Sequence, residues 1–170
     1  MDLYSLIRDI KDFPTEGILF RDITPLLQDK NGLKQSIDSI AEILQNVDFD
    51  LIVGPESRGF IFGVPTAYKM NKGFVPVRKP GKLPYDYISQ TYNLEYGTST
   101  MEMHIDAVEK GQKVVIVDDL LATGGTTKAI IDVVEKLGGV VVKIVYLIEL
   151  EGLHGRDVLK GYAISSLLKY

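Results

Sequence analysis

Apolar positions along the chain follow two rhythms. Short, Val/Ile-rich runs stand at Leu51–Val53, at Gly73–Arg78, at Val114–Val117 and at Val140–Leu150. Runs so apolar, bounded by turn residues, read as strands buried on both faces. Between them, apolar residues recur at helical spacing. Leu33, Ile37, Ile40, Ala41 and Leu44 predict one helix, with Asn31 as a cap. A second helix follows Gly59 and runs to about Met70, and Pro65 should kink it. Ala129, Ile130, Val133, Val134 and Leu137 predict a third, stopped by Gly138 and Gly139. At the N-terminus Leu3, Leu6, Ile7 and Ile10 form a one-sided stripe, which predicts a helix over 2–10 capped by Asp2. That helix would lie across the fold or across a second subunit. Thr24-Pro25 is a helix start with proline in the first turn. Thr91 to His104 alternates in part and breaks at Gly97, giving a hairpin with Glu102 and His104 outward. Leu153 to Leu159 reads as a turn or short helix, and Tyr162 to Leu168 as a final edge strand. Alternating strands and helices imply a parallel sheet with helices on both faces, its ligands at the carboxyl ends of the strands.

Chemistry concentrates at two of those strand ends. After Val114–Val117 come Asp118 and Asp119, then Leu120, Leu121 and a small-residue turn, Ala122-Thr123-Gly124-Gly125-Thr126, opening a helix. Such a turn lets backbone N–H groups and a helix dipole hold a phosphate. The acidic pair cannot want that phosphate. It suits hydroxyls, or a magnesium ion or its waters. A phosphorylated sugar satisfies both halves. The earlier strand leads into Gly54-Pro55-Glu56-Ser57-Arg58-Gly59, where a hydroxyl and a guanidinium are suited to phosphate oxygens. Gly54 and Gly59 have the spacing of a P-loop, but Phe60 and Ile61 stand where Lys and Ser/Thr are required, and no G-x-G-x-x-G occurs. Lys79 to Tyr87 is a polar, turn-rich, basic loop of the kind that forms lids. By residue type alone Arg78, Lys79 and Lys82 are equally phosphate ligands or solvated surface charges.

Composition narrows the classes. At 170 residues and 45% hydrophobic the chain is one domain with a real core. A net charge of −4 argues against an electrostatic nucleic-acid partner. Without cysteine there is no disulfide framework or thiolate metal site, and the two histidines lie fifty positions apart. Neither a membrane span nor a signal peptide is apparent, so a soluble cytoplasmic protein is expected.

The stretch from Val114 to Thr126 resembles the phosphoribosyl-diphosphate signature of the type I phosphoribosyltransferases. The resemblance extends over most of the chain from Phe13 onward. It implies an α/β fold with a central, mostly parallel sheet flanked by helices, a small N-terminal hood at about residues 1–30 and a mobile flap at about 79–104. It implies that Ala122, Thr123, Gly124, Gly125 and Thr126 cradle the 5-phosphate while Asp118 and Asp119 face the ribose hydroxyls. Ser57 and Arg58 then belong to the pyrophosphate loop, often with a cis peptide, here Glu56–Ser57, and Arg78, Lys79 and Lys82 would meet the same pyrophosphate. The segment F-R-D-I-T-P and the motif L-E-Y-G at Leu94–Gly97 are similar to those of the adenine phosphoribosyltransferase family, as is the C-terminal G-Y-x-x-x-S-L-L. By position Leu19, Phe20 and Arg21 would line the adenine site, with Arg21 as a plain surface cation the competing reading. Glu95, in the flap motif, would handle the purine proton. Ala122 stands where 6-oxopurine enzymes carry Asp, although xanthine enzymes also have Ala there. The implied reaction converts adenine and phosphoribosyl diphosphate to AMP and pyrophosphate, for purine salvage. Mg2+ would be bound mainly through substrate and water, and no direct protein ligand is assigned. A homodimer is expected, with Leu3, Leu6, Ile10 and the Ser57-Arg58 loop as contact regions. The alternatives are a xanthine or other purine enzyme, or a non-catalytic regulator that binds phosphoribosyl diphosphate.

Overall fold

The computed structural model of the protein describes residues 1–93 and 97–170. The chain opens with a single 3-10 turn, Leu3–Leu6, capped by the Asp2 carboxylate, which accepts the Tyr4 N–H. The helix expected over 2–10 does not form. Ile7 is extended, and β1 (Arg8–Lys11) pairs antiparallel with β2 (Leu19–Asp22). One isolated turn gains little from its own hydrogen bonds. The hairpin gives the backbone better partners, and Leu3, Leu6 and Ile7 pack inward on this chain's own core.

Helix α1 (Thr24–Gln28) starts with proline in its first turn, as its sequence predicts, and the Asp22 carboxylate accepts both the N–H and the hydroxyl of Thr24. Helix α2 (Lys30–Leu44) is capped by Asp29, whose carboxylate accepts the N–H groups of Asn31 and Gly32. Asn31, the expected cap, lies inside the first turn. An acceptor one residue outside the helix reaches the second and third free N–H groups.

Next come β3 (Leu51–Pro55), α3 (Arg58–Lys69, with Pro65 inside it) and β4 (Gly73–Val77). An antiparallel pair follows, β5 (Tyr87–Asn93) and β6 (Thr98–His104). The chain then forms β7 (Lys113–Leu121), α4 (Gly125–Lys136) and β8 (Val140–Glu149). It ends with a 3-10 turn, the one-turn α5 (Gly155–Val158) and β9 (Ile164–Lys169). The central sheet has the order β4-β3-β7-β8-β9 and is parallel throughout. The expected edge strand is β9, beginning two residues later than its sequence suggests.

Successive residues of β7 point to opposite faces and so feed two cores. Val114 and Ile116 pack with Ala129, Ile130, Val133 and Val134 of α4 and with Met101 and Met103 of β6. Val115 and Val117 pack with Ile40 and Leu44 of α2, Phe62 of α3 and Leu3. Two readings change here. The acidic pair lies inside β7 instead of following it, with Asp118 opposite Tyr146 of β8. Glu102 does not point outward: it is 3% exposed, and His104 is half-buried. The reason is that β6 is covered on both faces, so Met101, Glu102 and Met103 are buried in succession. β5, with one wet face, does alternate.

Candidate active site

Three strand ends converge at one edge of the sheet. The first contributes the turn between β7 and α4. Gly124 has φ of 88°, a left-handed conformation that favours glycine. Lys128 is the first helical residue whose N–H reaches back to Gly124, which leaves the preceding N–H groups of α4 free for an anion. The loop encloses a small pocket of about 80 Å3, lined by Ala122 to Thr127 together with Asp118 and Tyr92. Its walls are braced from behind. The Thr127 and Tyr146 hydroxyls share a buried hydrogen bond of 2.5 Å. Burial drives the Tyr146 phenol well above its usual range, so it stays neutral in that contact. The Thr126 hydroxyl donates to the Tyr92 hydroxyl at 3.0 Å, tying the loop to β5. At the far side Gly155 sits so close that a Cβ there would lie 2.5 Å from the Ala122 carbonyl oxygen.

The acidic pair forms the floor. Asp118 and Asp119 are 8% and 6% exposed. The Asp118 carboxylate accepts the Asp119 N–H at 2.8 Å, and the Asp119 carboxylate pairs with Arg58 Nε at 2.9 Å. Burial, reinforced by the neighbouring Asp119 carboxylate, pushes Asp118 well above the ordinary carboxylate range. Here the chain holds an acid that ionises reluctantly beside one that is ion-paired.

The second strand end supplies Ser57 and Arg58 at the start of α3, after a cis Glu56–Ser57 peptide at the position the family resemblance implies. The third brings Arg78 and Lys79. Glu56 joins the two: its carboxylate accepts the Lys79 N–H at 2.8 Å and the Arg78 Nε–H at 3.1 Å. Burial raises the proton affinity of Glu56, but those donors outweigh it and hold the carboxyl below its usual range. A cleft of about 300 Å3 results. It is lined by Ser57, Arg58, Lys79, Asp118, Asp119, Ala122 and Thr126, with Glu56, Tyr92, Met101 and Leu120.

The remaining expected site residues are dispersed. Phe20 stands at the margin, edge-on to Phe13 and 5.5 Å from the Arg58 guanidinium. Leu19 is exposed and lines a separate shallow pocket with Lys11, Asp12, Gly17 and Ile18. Arg21 pairs with Asp9 and stacks 3.9 Å from the Tyr170 ring centroid. Arg78 braces Glu56, and Lys82 is not among the residues lining the cleft. Glu95 lies outside the described residues. Sequence reasoning passed over Glu56, Tyr92 and Met101. Tyr92 reaches the loop only through tertiary packing, 34 positions away in sequence, and a carboxylate within an anion-binding turn gave no signal.

Among the described residues no three His, Cys, Asp or Glu side chains converge as a metal cage. The donors present do fit a magnesium ion that arrives on the substrate. That ion prefers one or two carboxylates, waters and phosphate oxygens, and Asp118, Asp119 and Glu56 all border the cleft. Among the described residues no helix is long and apolar enough to cross a membrane.

Comparison with known proteins points the same way. The phosphoribosyl transferase domain family matches residues 23–167. An adenine phosphoribosyltransferase of Lachnoclostridium phytofermentans is 63% identical, covering 99% of this chain and 97% of that protein. The crystal structure of adenine phosphoribosyltransferase from Thermoanaerobacter pseudethanolicus superposes with a TM-score of 0.97 at 55% identity, covering 99% of this chain and 98% of that one. The Saccharomyces cerevisiae enzyme, complexed with an imino-altritol bisphosphate and adenine, gives a TM-score of 0.91 at 39% identity over 98% and 96%.

Proposed function

The chain belongs to the phosphoribosyl transferase family, among its adenine phosphoribosyltransferases, and on that premise we propose that it transfers the 5-phosphoribosyl group from phosphoribosyl diphosphate to adenine. The products are AMP and pyrophosphate, and the role is purine salvage. The observation that carries this reading is a loop pocket formed by the Ala122–Thr126 turn that adjoins, across Asp118, Ala122 and Thr126, a cleft holding the buried acidic pair and a Ser57-Arg58-Lys79 rim. The length of phosphoribosyl diphosphate asks for those three groups in that order. That a yeast relative binds adenine together with a bisphosphate supports the base and the two-phosphate shape.

The 5-phosphate would sit in the Ala122–Thr126 turn, where free N–H groups and the start of α4 meet its charge. Asp118 and Asp119 would accept hydrogen bonds from the ribose hydroxyls and fix the ring. As the bond from the anomeric carbon to the diphosphate breaks, its electrons leave with the diphosphate and positive charge spreads over the sugar. Arg58, Ser57 and Lys79 would take the leaving charge, and the carboxylate floor would oppose the sugar's charge. Adenine N9 bonds to the anomeric carbon and gives up its proton, for which Glu95 is the proposed acceptor. Magnesium, bound mainly through substrate and water in the cleft bordered by Glu56, Asp118 and Asp119, would neutralise part of the diphosphate's charge. Phe20, at the margin of the cleft beside Arg58, offers an aromatic face to the base.

We further assign the protein to the cytoplasm and to a homodimer. The N-terminal stripe no longer supports the dimer, because Leu3 is buried in its own subunit. Support comes instead from α3, where Phe60, Val64 and Tyr68 recur at a spacing of four and Val64 and Tyr68 are exposed. In a test with magnesium and phosphoribosyl diphosphate, adenine should yield AMP and pyrophosphate one to one. Binding of phosphoribosyl diphosphate without turnover of any purine would instead make the protein a regulator.

A further inference from the structure

Glu102 is buried where its strand position predicted an outward residue, and no step of the proposed reaction uses it. It lies on β6, 3% exposed, between two buried methionines. Its backbone exchanges two hydrogen bonds with Arg78: the Arg78 N–H donates to the Glu102 carbonyl at 2.9 Å, and the Glu102 N–H donates to the Arg78 carbonyl at 2.7 Å. Its side chain reaches three residues further, and Oε1 accepts the Gly81 N–H at 3.1 Å. The other carboxylate oxygen, Oε2, is buried and has no hydrogen-bond partner among the described residues. A buried, half-satisfied carboxylate is costly, so its place in the fold calls for a return.

The return is the position of Lys79. Residues 78–81 leave the sheet at the end of β4 and are held on two sides. Glu56 grips the Lys79 N–H and the Arg78 guanidinium from the cleft side. Glu102 grips Arg78 and Gly81 from the side of β6. Lys79 lies between the two anchors and lines the cleft. Gly81 has φ of +81°, so its N–H is aimed by a conformation that other residues rarely adopt. A backbone bridge alone would fix Arg78, but the direction taken by residues 79–81 depends on the second anchor.

We propose that Glu102 is a positioning residue for the diphosphate end of the site, acting through Gly81 to hold Lys79 against the substrate. This rests on the proposed reaction only in taking the ligand of Lys79 to be a diphosphate. Replacing Glu102 with Gln keeps an oxygen for the Gly81 N–H. Replacing it with Met keeps the length and apolar stem but removes the acceptor, so the buried site on this face of β6 stays filled. The probes are magnesium pyrophosphate by calorimetry, and KM and kcat for phosphoribosyl diphosphate. Glu102→Met should weaken pyrophosphate binding by about tenfold, as expected for one lost hydrogen bond to a charged group. It should raise KM for phosphoribosyl diphosphate by a similar factor and leave KM for adenine within about twofold. Glu102→Gln should recover most of the loss. Made in a Lys79→Ala background, Glu102→Met should add less than about twofold, because residues acting as a unit do not add. Should Glu102→Met fail to fold, the same comparison with Glu102→Gln and Glu102→Asp decides: Asp, one carbon too short for Gly81, must behave as Met was expected to. Variants that bind pyrophosphate like the wild type, or whose losses add fully to that of Lys79→Ala, would overturn the role of Glu102. A wild-type chain that binds no pyrophosphate would overturn the diphosphate reading as well.

Discussion

Asp118 faces two opposing demands. The proposed reaction wants its carboxylate beside a sugar, while the fold buries it next to a second carboxylate. Its proton affinity is raised by burial first and by Asp119 second. A raised folded-state pKa favours the fold fully below the unfolded value near 3.8, and that contribution is lost as pH rises through the folded pKa. Asp118→Asn keeps the carbonyl that accepts the Asp119 N–H and removes the penalty. Its melting temperature should therefore exceed the wild type's at pH 7–8, and the gain should vanish toward pH ~4. Affinity for phosphoribosyl diphosphate should fall by about one to two decades. A variant that loses stability at pH 8, or that keeps wild-type affinity, contradicts this. Glu95→Gln should lower kcat by about 10²–10⁴ if Glu95 carries the purine proton. Glu102, on the neighbouring strand, cannot serve as the control because it is buried. The exposed Glu109→Gln replaces it and should leave kcat unchanged. At this scale the sequence was informative wherever a site is local. Asp118, Asp119, the Ala122–Thr126 turn and Ser57-Arg58 were legible because each lies at or just past the carboxyl end of an apolar run. Glu56, Tyr92 and Glu102 were not, because they reach their partners only through tertiary pairing.

Element α5 is one turn long, and its work lies in what it touches. Gly155 leaves no room for a side chain: a Cβ would meet the Ala122 carbonyl oxygen at 2.5 Å and Leu121 Cδ1 at 2.7 Å. Gly155→Ala must move the phosphate turn, and overpacking of this kind costs ~1–3 kcal/mol. The expected outcome is roughly tenfold weaker binding of ribose 5-phosphate, with KM for adenine little changed. Calorimetry showing undiminished ribose 5-phosphate affinity would separate α5 from the turn. The next residue anchors the element. Arg156 donates to both oxygens of the buried Glu149 at 2.6 and 2.8 Å, and Ser166 donates to the same carboxylate at 2.5 Å. Arg156, foremost among these, holds Glu149 below the usual carboxylate range. A lowered folded pKa stabilises above the unfolded value near 4.5, and that stability is lost as pH falls through the folded pKa. Arg156→Ala should therefore cost about 2 kcal/mol at pH 7, discounted because Arg156 is partly exposed. That is a fall of about 4–8 °C in melting temperature, and the deficit should shrink below pH ~4.5. Strands and helices of the central sheet were readable from the chain because apolar runs and helical spacing are strong local signals. The N-terminal helix was misread because four apolar residues in nine satisfy a helical stripe and a docked turn equally well. Only the pairing of β1 with β2 decides between them.

As a whole molecule the protein places one cleft at the carboxyl ends of a parallel sheet and leaves an apolar stripe on α3. Tyr68 is 89% exposed there. Light scattering at micromolar concentration should give twice 18.9 kDa for the wild type, and Val64→Glu should shift the population to one copy. A wild type that stays monomeric contradicts the dimer. The fold class was legible before any coordinates, since the strand–turn–helix units repeat in order, and the family through the resemblance carried by Val114–Thr126. The identity of the base was less so. Ala122 excludes the acid of 6-oxopurine enzymes but not a xanthine enzyme, and the hood residues meant to read the base are only partly gathered, with Phe20 beside the cleft and Arg21 held by Asp9 and Tyr170. The central claim is therefore tested most directly by competition. Equimolar adenine, hypoxanthine, guanine and xanthine are given to the protein with magnesium and limiting phosphoribosyl diphosphate, and the nucleotides formed are separated. AMP should dominate the products. Predominance of IMP, GMP or XMP would contradict the account.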